Sequence, residues 1–468
     1  MSKKGIILFR NDLRLFDNPA IFHAVNENSR VVFLYILDED SENKWQMGSA
    51  QKWWLHNSLK ALDESLKQYG QRLILKKGNT EKILRELKDD DTTIYWNRVY
   101  EPYFISRDNY LKETLESKSY NASLLYEPFE IKNGSGEYYK VFTHFWKACL
   151  ALNKKFFTYK IPPIPSLQEN IKSDRLEDFN LLPKRNWADG FGDIWVAGEN
   201  GAIKKFDRFI EFGLNNYDGG RDLPAKNFVS NLSPHLHFGE ISLKYMLEKL
   251  QALPPSNHIT KYIAELGWRE FSYHLLYNFP QLPEQNFRKE FDKFPWVSDA
   301  NLLKKWQRGE TGYPIVDAGM KELWLTGTMH NRVRMITASF LIKDLLIDWR
   351  EGARWFWDCL LDADLASNSA SWQWVAGSGA DSAPYFRIFN PVLQGEKNDS
   401  DGEYVKKFLP VLANIPKEFI HKPWELGEAR LKQYGVILGK NYPHRIVLHQ
   451  QAKDRAMAGY KGMRNNSV

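Results

Sequence analysis

Residues 5–37 read GIILFRNDLRLFDNPAIFHAVNENSRVVFLYIL. Ile6–Phe9 is a short apolar run of the kind buried on both faces of a sheet, Asn18–Asn26 carries helical spacing, and Arg30–Ile36 is a second apolar run. The alternation continues outward with a helix over Ala50–Tyr69, a strand over Leu73–Lys76, a helix over Thr80–Leu87, a strand over Thr92–Trp96 and a helix over Phe104–Glu116. Strands alternating with helices in this way predict a parallel sheet covered by helices, an α/β fold. In the longest helix, Trp54, Leu55, Leu59, Leu62 and Leu66 recur at helical spacing and mark the buried face. The loop after the first strand, Phe9 to Leu15, carries no G-x-G-x-x-G, so no dinucleotide is expected at that strand end.

Beyond residue 130 the pattern changes. Residues 131–195 contain Asn133-Gly134-Ser135-Gly136 and Ile161-Pro162-Pro163-Ile164-Pro165 and read as a linker over the surface. Residues 196–468 show helical periodicities between Pro- and Gly-marked loops and read as a mainly helical domain. The last residues, from Ala452, carry four basic side chains against one acidic and read as a frayed tail. A chain of 468 residues has room for two domains and a buried cofactor. With 43% apolar and 26% charged residues and only short apolar runs, neither disorder nor a membrane span is expected. The amino terminus lacks the features of a secretory signal, and the two cysteines, Cys149 and Cys359, cannot alone build a thiolate zinc site or an iron–sulfur cluster. A cytoplasmic setting is expected. The net charge of +6 permits nucleic-acid binding without demanding it, and an aromatic content of 14%, with 17 Trp, raises stacking and electron transfer as roles beyond core packing.

Candidate chemistry gathers in the second half. Asp362, Asp364, Asn368, Trp372 and Trp374 lie close together in loop-like sequence between Gly352 and Lys397, and pairing of the carboxylates with arginine is favoured over a metal. Thr328–Phe340 reads as helix, with Asn331, Arg334 and Met335 on one face. There Met335 is core and the arginines are solvated, or Arg334 is buried against Asp362 because a buried guanidinium demands a partner. A helix over His258–Tyr277 places Glu265, Trp268 and Arg269 together. Glu265 is a surface or ion-paired acid, or one held neutral against an indole so that it donates a hydrogen bond. Around Tyr217 and again from Ser230 to Ser233, hydroxyls and backbone N–H groups precede a helix, an arrangement suited to a helix cap or a phosphate cradle.

FRNDLRLFDNP (Phe9–Pro19), TGYPIVDAGM (Thr311–Met320), MHNRVRM (Met329–Met335), DADLASNSASWQW (Asp362–Trp374) and APYFRIFNP (Ala383–Pro391) together resemble the DNA photolyase and cryptochrome family, in order and over nearly the whole chain. MHNRVRM and WREF (Trp268–Phe271) are similar to the branch that repairs cyclobutane pyrimidine dimers. The branch that repairs (6-4) photoproducts has histidine at the position of Asn331, and the DASH cryptochromes depart around Trp372 and Trp374.

The resemblance implies a Rossmann-like α/β antenna domain over 1–130, a linker over 131–195, and an all-α domain over 196–468 that holds FAD and DNA. It implies light-driven electron transfer from reduced FAD to a flipped-out dimer in UV-damaged DNA by a monomer. Alternatives are a cryptochrome-type blue-light receptor that binds FAD without repair, and a DASH-like photolyase acting on single strands. By the same resemblance, Tyr217, Ser230, Leu232 and Ser233 lie at the FAD phosphates, Arg334 and Asp362 pair beside the isoalloxazine, Asp364 reaches its polar edge and Asn368 faces N5. Val229 stands where the family has Thr, which removes one hydroxyl. Glu265 and Asn331 would meet the lesion bases, with Trp268, Trp374 and Met335 as apolar walls. Arg221, Arg332 and Arg387 would approach the DNA backbone. Trp296, Trp349 and Trp372 align with the family's electron-transfer tryptophans. The implied antenna is methenyltetrahydrofolate, with a deazaflavin as alternative, near Trp45 and Glu101.

Overall fold

The computed structural model describes residues 3–39, 44–166, 170–382 and 386–465. Five parallel strands, β1 (Lys4–Phe9), β2 (Arg30–Leu37), β3 (Leu73–Lys77), β4 (Thr92–Asn97) and β5 (Ser117–Tyr120), lie in the order β3-β2-β1-β4-β5. Register pairs Ile7 with Phe33 and with Tyr95, and Phe33 with Leu73. Four helices link them: α1 (Pro19–Glu27), α2 (Ser49–Lys67), α3 (Thr80–Leu87) and α4 (Pro102–Thr114). Strand period two sends Ile7, Phe9, Phe33 and Tyr35 to one face, against Trp54, Leu55, Leu59, Leu62 and Leu66 of α2. Ile6, Leu8, Val32, Leu34 and Ile94 go to the other, against Ile83, Leu84 and Leu111. Each fully buried leucine contributes about 1.5–3 kcal/mol. Strand β5 has no sequence signal: SKSY is polar because it is an edge strand and only partly buried.

Side chains of the FRNDLR loop fill the end of β1. Arg10 meets Asp108 at 2.7 Å, Asn97 Nδ2 donates to Asp12 at 2.6 Å, and fully buried Arg14 donates to the carbonyls of Asp17, Gly239 and Ala122 at 2.8, 2.8 and 2.9 Å. Gly239 has φ +63°, and a Cβ there would stand 2.2 Å from the Asn11 carbonyl, so only glycine allows this approach.

The segment expected as a linker contains α5 (Phe142–Ala151), with Phe145 and Cys149 buried. The helices that matter for the site follow: α6 (Ser233–His237), α7 (Asn257–Asn278), α8 (Asn331–Ser339) with a π-helical continuation over Phe340–Asp344, α9 (Trp349–Cys359), α10 (Leu365–Ala376) and α11 (His449–Asn465). Two expectations are corrected. The stretch read as loop-like between Gly352 and Lys397 is largely helical, with Asn368, Trp372 and Trp374 on α10, because burial of Leu365, Ala366, Trp372 and Val375 overrides the low propensity of its serines and asparagine. The expected frayed tail is α11, held by buried Ala452, Ala456 and Met463. Ala383, Pro384 and Tyr385 of APYFRIFNP lie outside the described residues. Among the described residues no strand follows β5, no helix is long and apolar enough to cross a membrane, and no cluster of three metal-ligating side chains forms.

The chain groups into two compact units. The first comprises residues 1–212, 230–280 and 361–366, the second 213–229, 281–360 and 367–468.

Candidate functional site

In the first unit, α7 starts at an N-cap, Ser256, whose hydroxyl accepts from Ile259 N at 3.2 Å. Glu265 and Trp268 are half-buried on it. The Trp268 indole stacks on Phe142 of α5 with centroids 3.9 Å apart and planes 11° from parallel. A Cβ on Gly267 would fall 2.8 Å from the Trp146 ring, so the missing side chain lets α5 lie close. The deeply buried acid of this helix is Glu270 rather than Glu265. It accepts Leu125 N and Tyr126 N at 2.9 and 3.1 Å, and burial pushes it up to about 7, against the opposing charge of Arg269.

Ser230 to Ser233 turn through Asn231, which adopts φ +51°, a conformation asparagine tolerates. Leu232 is buried, Ser230 bonds the buried Tyr262 hydroxyl, and exposed Ser233 opens α6. This segment is pinned to the sheet helices through His235, whose Nδ1 lies 2.5 Å from Glu240. The same carboxylate accepts the Trp54 indole N–H at 3.1 Å and Gly198 N at 2.8 Å.

Asp362 and Asp364 are buried in the turn before α10, where the Ala363 carbonyl accepts Gln51 Nε2 at 3.1 Å. Tyr273 donates to Asp364, and His237 Nδ1 stands 3.7 Å from the same oxygen. Burial alone would raise Asp364, but His237, the Arg269 charge and the Tyr273 hydroxyl hold it well below the usual carboxylate range. No histidine adjoins Asp364 in sequence, so this partner was invisible there. Glu101, expected at the antenna, is buried within the electrostatic reach of His237 and Asp364. Burial pushes it up to about 7, His237 opposing and Asp364 adding. Trp45 is half-buried.

In the second unit, Tyr217 is buried, with the Arg221 guanidinium 5.7 Å above its ring. Arg332 forms an ion pair with Asp222 at 2.6 Å and reaches the Met335 sulfur at 3.8 Å. Arg334 donates to the Met329 carbonyl at 2.7 Å. Asn331 is exposed at the first position of α8, while Arg334 and Met335 are half-buried. His330 caps that helix, its Nδ1 accepting Arg332 N at 3.3 Å. Burial pushes His330 down to about 4; Asp222 counteracts, and Arg334, Arg332 and Arg221 reinforce the fall.

Asn368 is buried, and its Nδ2 donates to the Ala353 carbonyl at 3.1 Å. That bond fixes the amide and leaves its oxygen as the acceptor. Trp372 is enclosed by Phe356 and Trp306, with centroids 4.9 and 6.2 Å away. Buried Trp349 donates to Asn286 Oδ1 at 2.9 Å, and half-buried Trp296 packs on Phe294 at 4.5 Å. Burial therefore deepens from Trp296 to Trp349 and Trp372. Trp374 is half-buried and donates to the Asp381 carbonyl at 3.1 Å, and Arg387 is exposed.

Comparison with known proteins places these features. Residues 5–168 match the family described as DNA photolyase, and residues 262–462 match the FAD binding domain of DNA photolyase. The chain is 48% identical to a deoxyribodipyrimidine photo-lyase of Agrobacterium fabrum, across 99% of this chain and 98% of that one. It is 37% identical to Cryptochrome-2 of Arabidopsis thaliana, across 96% of this chain and 77% of that one. The crystal structure of a bacterial class III photolyase from Agrobacterium tumefaciens superposes with a TM-score of 0.95 at 48% identity, covering 99% of this chain and 98% of that one. The chain belongs to the DNA photolyase and cryptochrome family. Within that family it stands with the deoxyribodipyrimidine photo-lyases, and it carries their FAD-binding domain.

Proposed function

We propose that this chain repairs cyclobutane pyrimidine dimers in DNA, driven by light. Asn331 carries the reading: it is an exposed amide at the start of α8, where recognition of the (6-4) lesion would use an imidazole, and Arg332 follows it. The residues fit FAD. Asn368 has its amide oriented by the Ala353 carbonyl so that the oxygen is free to accept from an N–H, and Asp364 is held as an anion for a polar edge. Bound there in its reduced form, FAD would supply light-driven, reversible one-electron transfer to the lesion.

The protein's own part is to hold and orient. Tyr217, Ser230, Leu232 and Ser233 hold the phosphates, Arg334 and Asp362 the isoalloxazine, and Asn368 and Asp364 its N5 and polar edges. The damaged dinucleotide is extruded from the duplex, as photolyases and other base-flipping enzymes do, at a cost that weakened pairing lowers. Glu265 donates to its carbonyls as negative charge develops there, and Asn331 supports the same bases. Trp268, Trp374 and Met335 exclude water around the saturated rings. Arg221, Arg332 and Arg387 bind backbone phosphates, which supply affinity without sequence choice. Trp296, Trp349 and Trp372 form the path by which an electron enters from solvent. Residues 1–130 hold the antenna, for which methenyltetrahydrofolate near Trp45 and Glu101 is proposed, with a deazaflavin as the alternative.

The test is to reduce the purified protein and illuminate it with an oligonucleotide carrying one thymine dimer, following recovery of thymine absorbance. Recovery on duplex DNA is expected. No recovery from a protein whose flavin is bound and reducible would assign it to the receptors, and recovery on single strands alone would assign it to the DASH type.

A further inference from the structure

Lys343 is only 3% exposed, on the π-helical turn that continues α8. An ammonium group this deep requires partners in the interior. Adjacent Asp344 is engaged by His449, whose Nδ1 lies 2.6 Å from it. Lys343 Nζ donates to the backbone carbonyl of Arg387 and lies 4.4 Å over the Phe386 ring. One turn earlier, Ser339 Oγ accepts Phe389 N–H at 3.3 Å. Two side chains of one continuous helix thus grip the Arg387–Phe389 backbone, while the Arg387 guanidinium stays exposed, 4.9 Å over the Phe389 ring. A cavity of about 20 Å³ beside this grip is lined by Lys343, Ser339, Arg387, Phe389 and Trp374. The ring proposed to wall the lesion therefore borders the cavity beside the support of the cation proposed to meet the DNA backbone.

We infer that Lys343 is a positioning residue for damaged DNA: through the Arg387 carbonyl it fixes the segment that presents Arg387 and borders Trp374. The inference rests on the reading of Arg387 and Trp374 as DNA-side groups. Burial pushes Lys343 down to about 7, the Arg387 charge reinforces the fall and Asp344 opposes it. Below that pH the tether is a charge-assisted bond, and above it a weaker amine–carbonyl bond. Its contribution to binding is therefore present in mild acid and declines as pH rises through about 7.

The experiment measures equilibrium binding, in the dark and at fixed salt, of the full-length flavoprotein to a duplex carrying one thymine dimer, from mildly acidic to mildly alkaline pH. Lys343→Met is expected to weaken binding about tenfold in mild acid and to flatten the pH profile, with flavin absorbance unchanged and the melting temperature no lower. Lys343→Gln, whose amide donates to the same carbonyl, should restore most of the affinity with a flat profile. Wild-type affinity in Lys343→Met, alongside weakened binding in Arg387→Ala, would overturn the inference and leave the reading of Arg387 intact. Equal losses in the Met and Gln variants, both melting lower, would reduce Lys343 to a core residue and also overturn it. An unchanged Arg387→Ala would remove the reading of Arg387 and the inference with it.

Discussion

Gly352 on α9 offers the sharpest link between packing and electron entry. A Cβ there would sit 2.1 Å from Trp372 Cη2, 2.5 Å from Cζ3 and 2.7 Å from Leu341 Cδ2. To regain an ordinary carbon–carbon separation of ~3.5–4.0 Å the indole must move by roughly 1.4 Å or more. Phe356 and Trp306 close its other sides, with centroids 4.9 and 6.2 Å away, so the shift propagates instead of being absorbed. Overpacking of this kind costs about 1–3 kcal/mol, against which the helix gains about 1 kcal/mol when glycine becomes alanine. With a strongly overlapping ring the first effect wins by about 1–2 kcal/mol, and in a chain of 468 residues Gly352→Ala is expected to lower the melting temperature by roughly 1–2 °C. Because the displaced ring is one of the three proposed electron carriers, photoreduction of oxidised flavin should slow in the same protein. Gly462→Ala on α11 is the control: nothing lies within 4 Å of its Cβ, and it should melt at or slightly above wild type. A Gly352→Ala protein that melts at or above the wild-type temperature, or photoreduces at the wild-type rate, would refute the reasoning.

Trp296→Phe should abolish photoreduction yet spare repair by enzyme reduced beforehand; unaffected photoreduction removes Trp296 from the path. Glu265→Ala should lower repair per absorbed photon and leave flavin content unchanged, and loss of flavin would show that its role is structural. Glu270 is raised from 4.5 to about 7, so the folded state keeps a proton that the unfolded chain releases, and stability from this group falls as pH rises between those values. In Glu270→Gln that part of the decline should disappear from chemical denaturation curves taken across the interval; an unchanged slope would sink the assignment.

Strands β1 to β4 were readable because they are apolar runs buried on two faces, and the α2 face because Trp54, Leu55, Leu59, Leu62 and Leu66 dominate one helical side. Polarity misled elsewhere for a consistent reason. LASNSASWQWVA in α10 looks like loop, yet its small side chains pack and one, Asn368, is tied to the Ala353 carbonyl. On α7, Glu265 beside an indole stood out in the sequence, while the more deeply buried Glu270 did not, because its partners are backbone amides 144 and 145 residues away. Spacing along one helix cannot report such partners. Nor could it report that His237 meets Asp364, or that Lys343, an ordinary lysine in FLIKD, is buried under a carbonyl 44 residues on. The family strings named most of the candidate residues; their burial and partners required the fold.

The first unit draws on three separate stretches, the last of them only residues 361–366, yet that short stretch supplies Asp364 to His237 and Tyr273 and the Ala363 carbonyl to Gln51. During synthesis, then, the amino-terminal sheet waits for a late-arriving clasp before its unit is complete, exposed meanwhile to the hazards of a half-built intermediate. A gene split after residue 195 would hand each half a body with pieces missing, and chaperone dependence should track the delay.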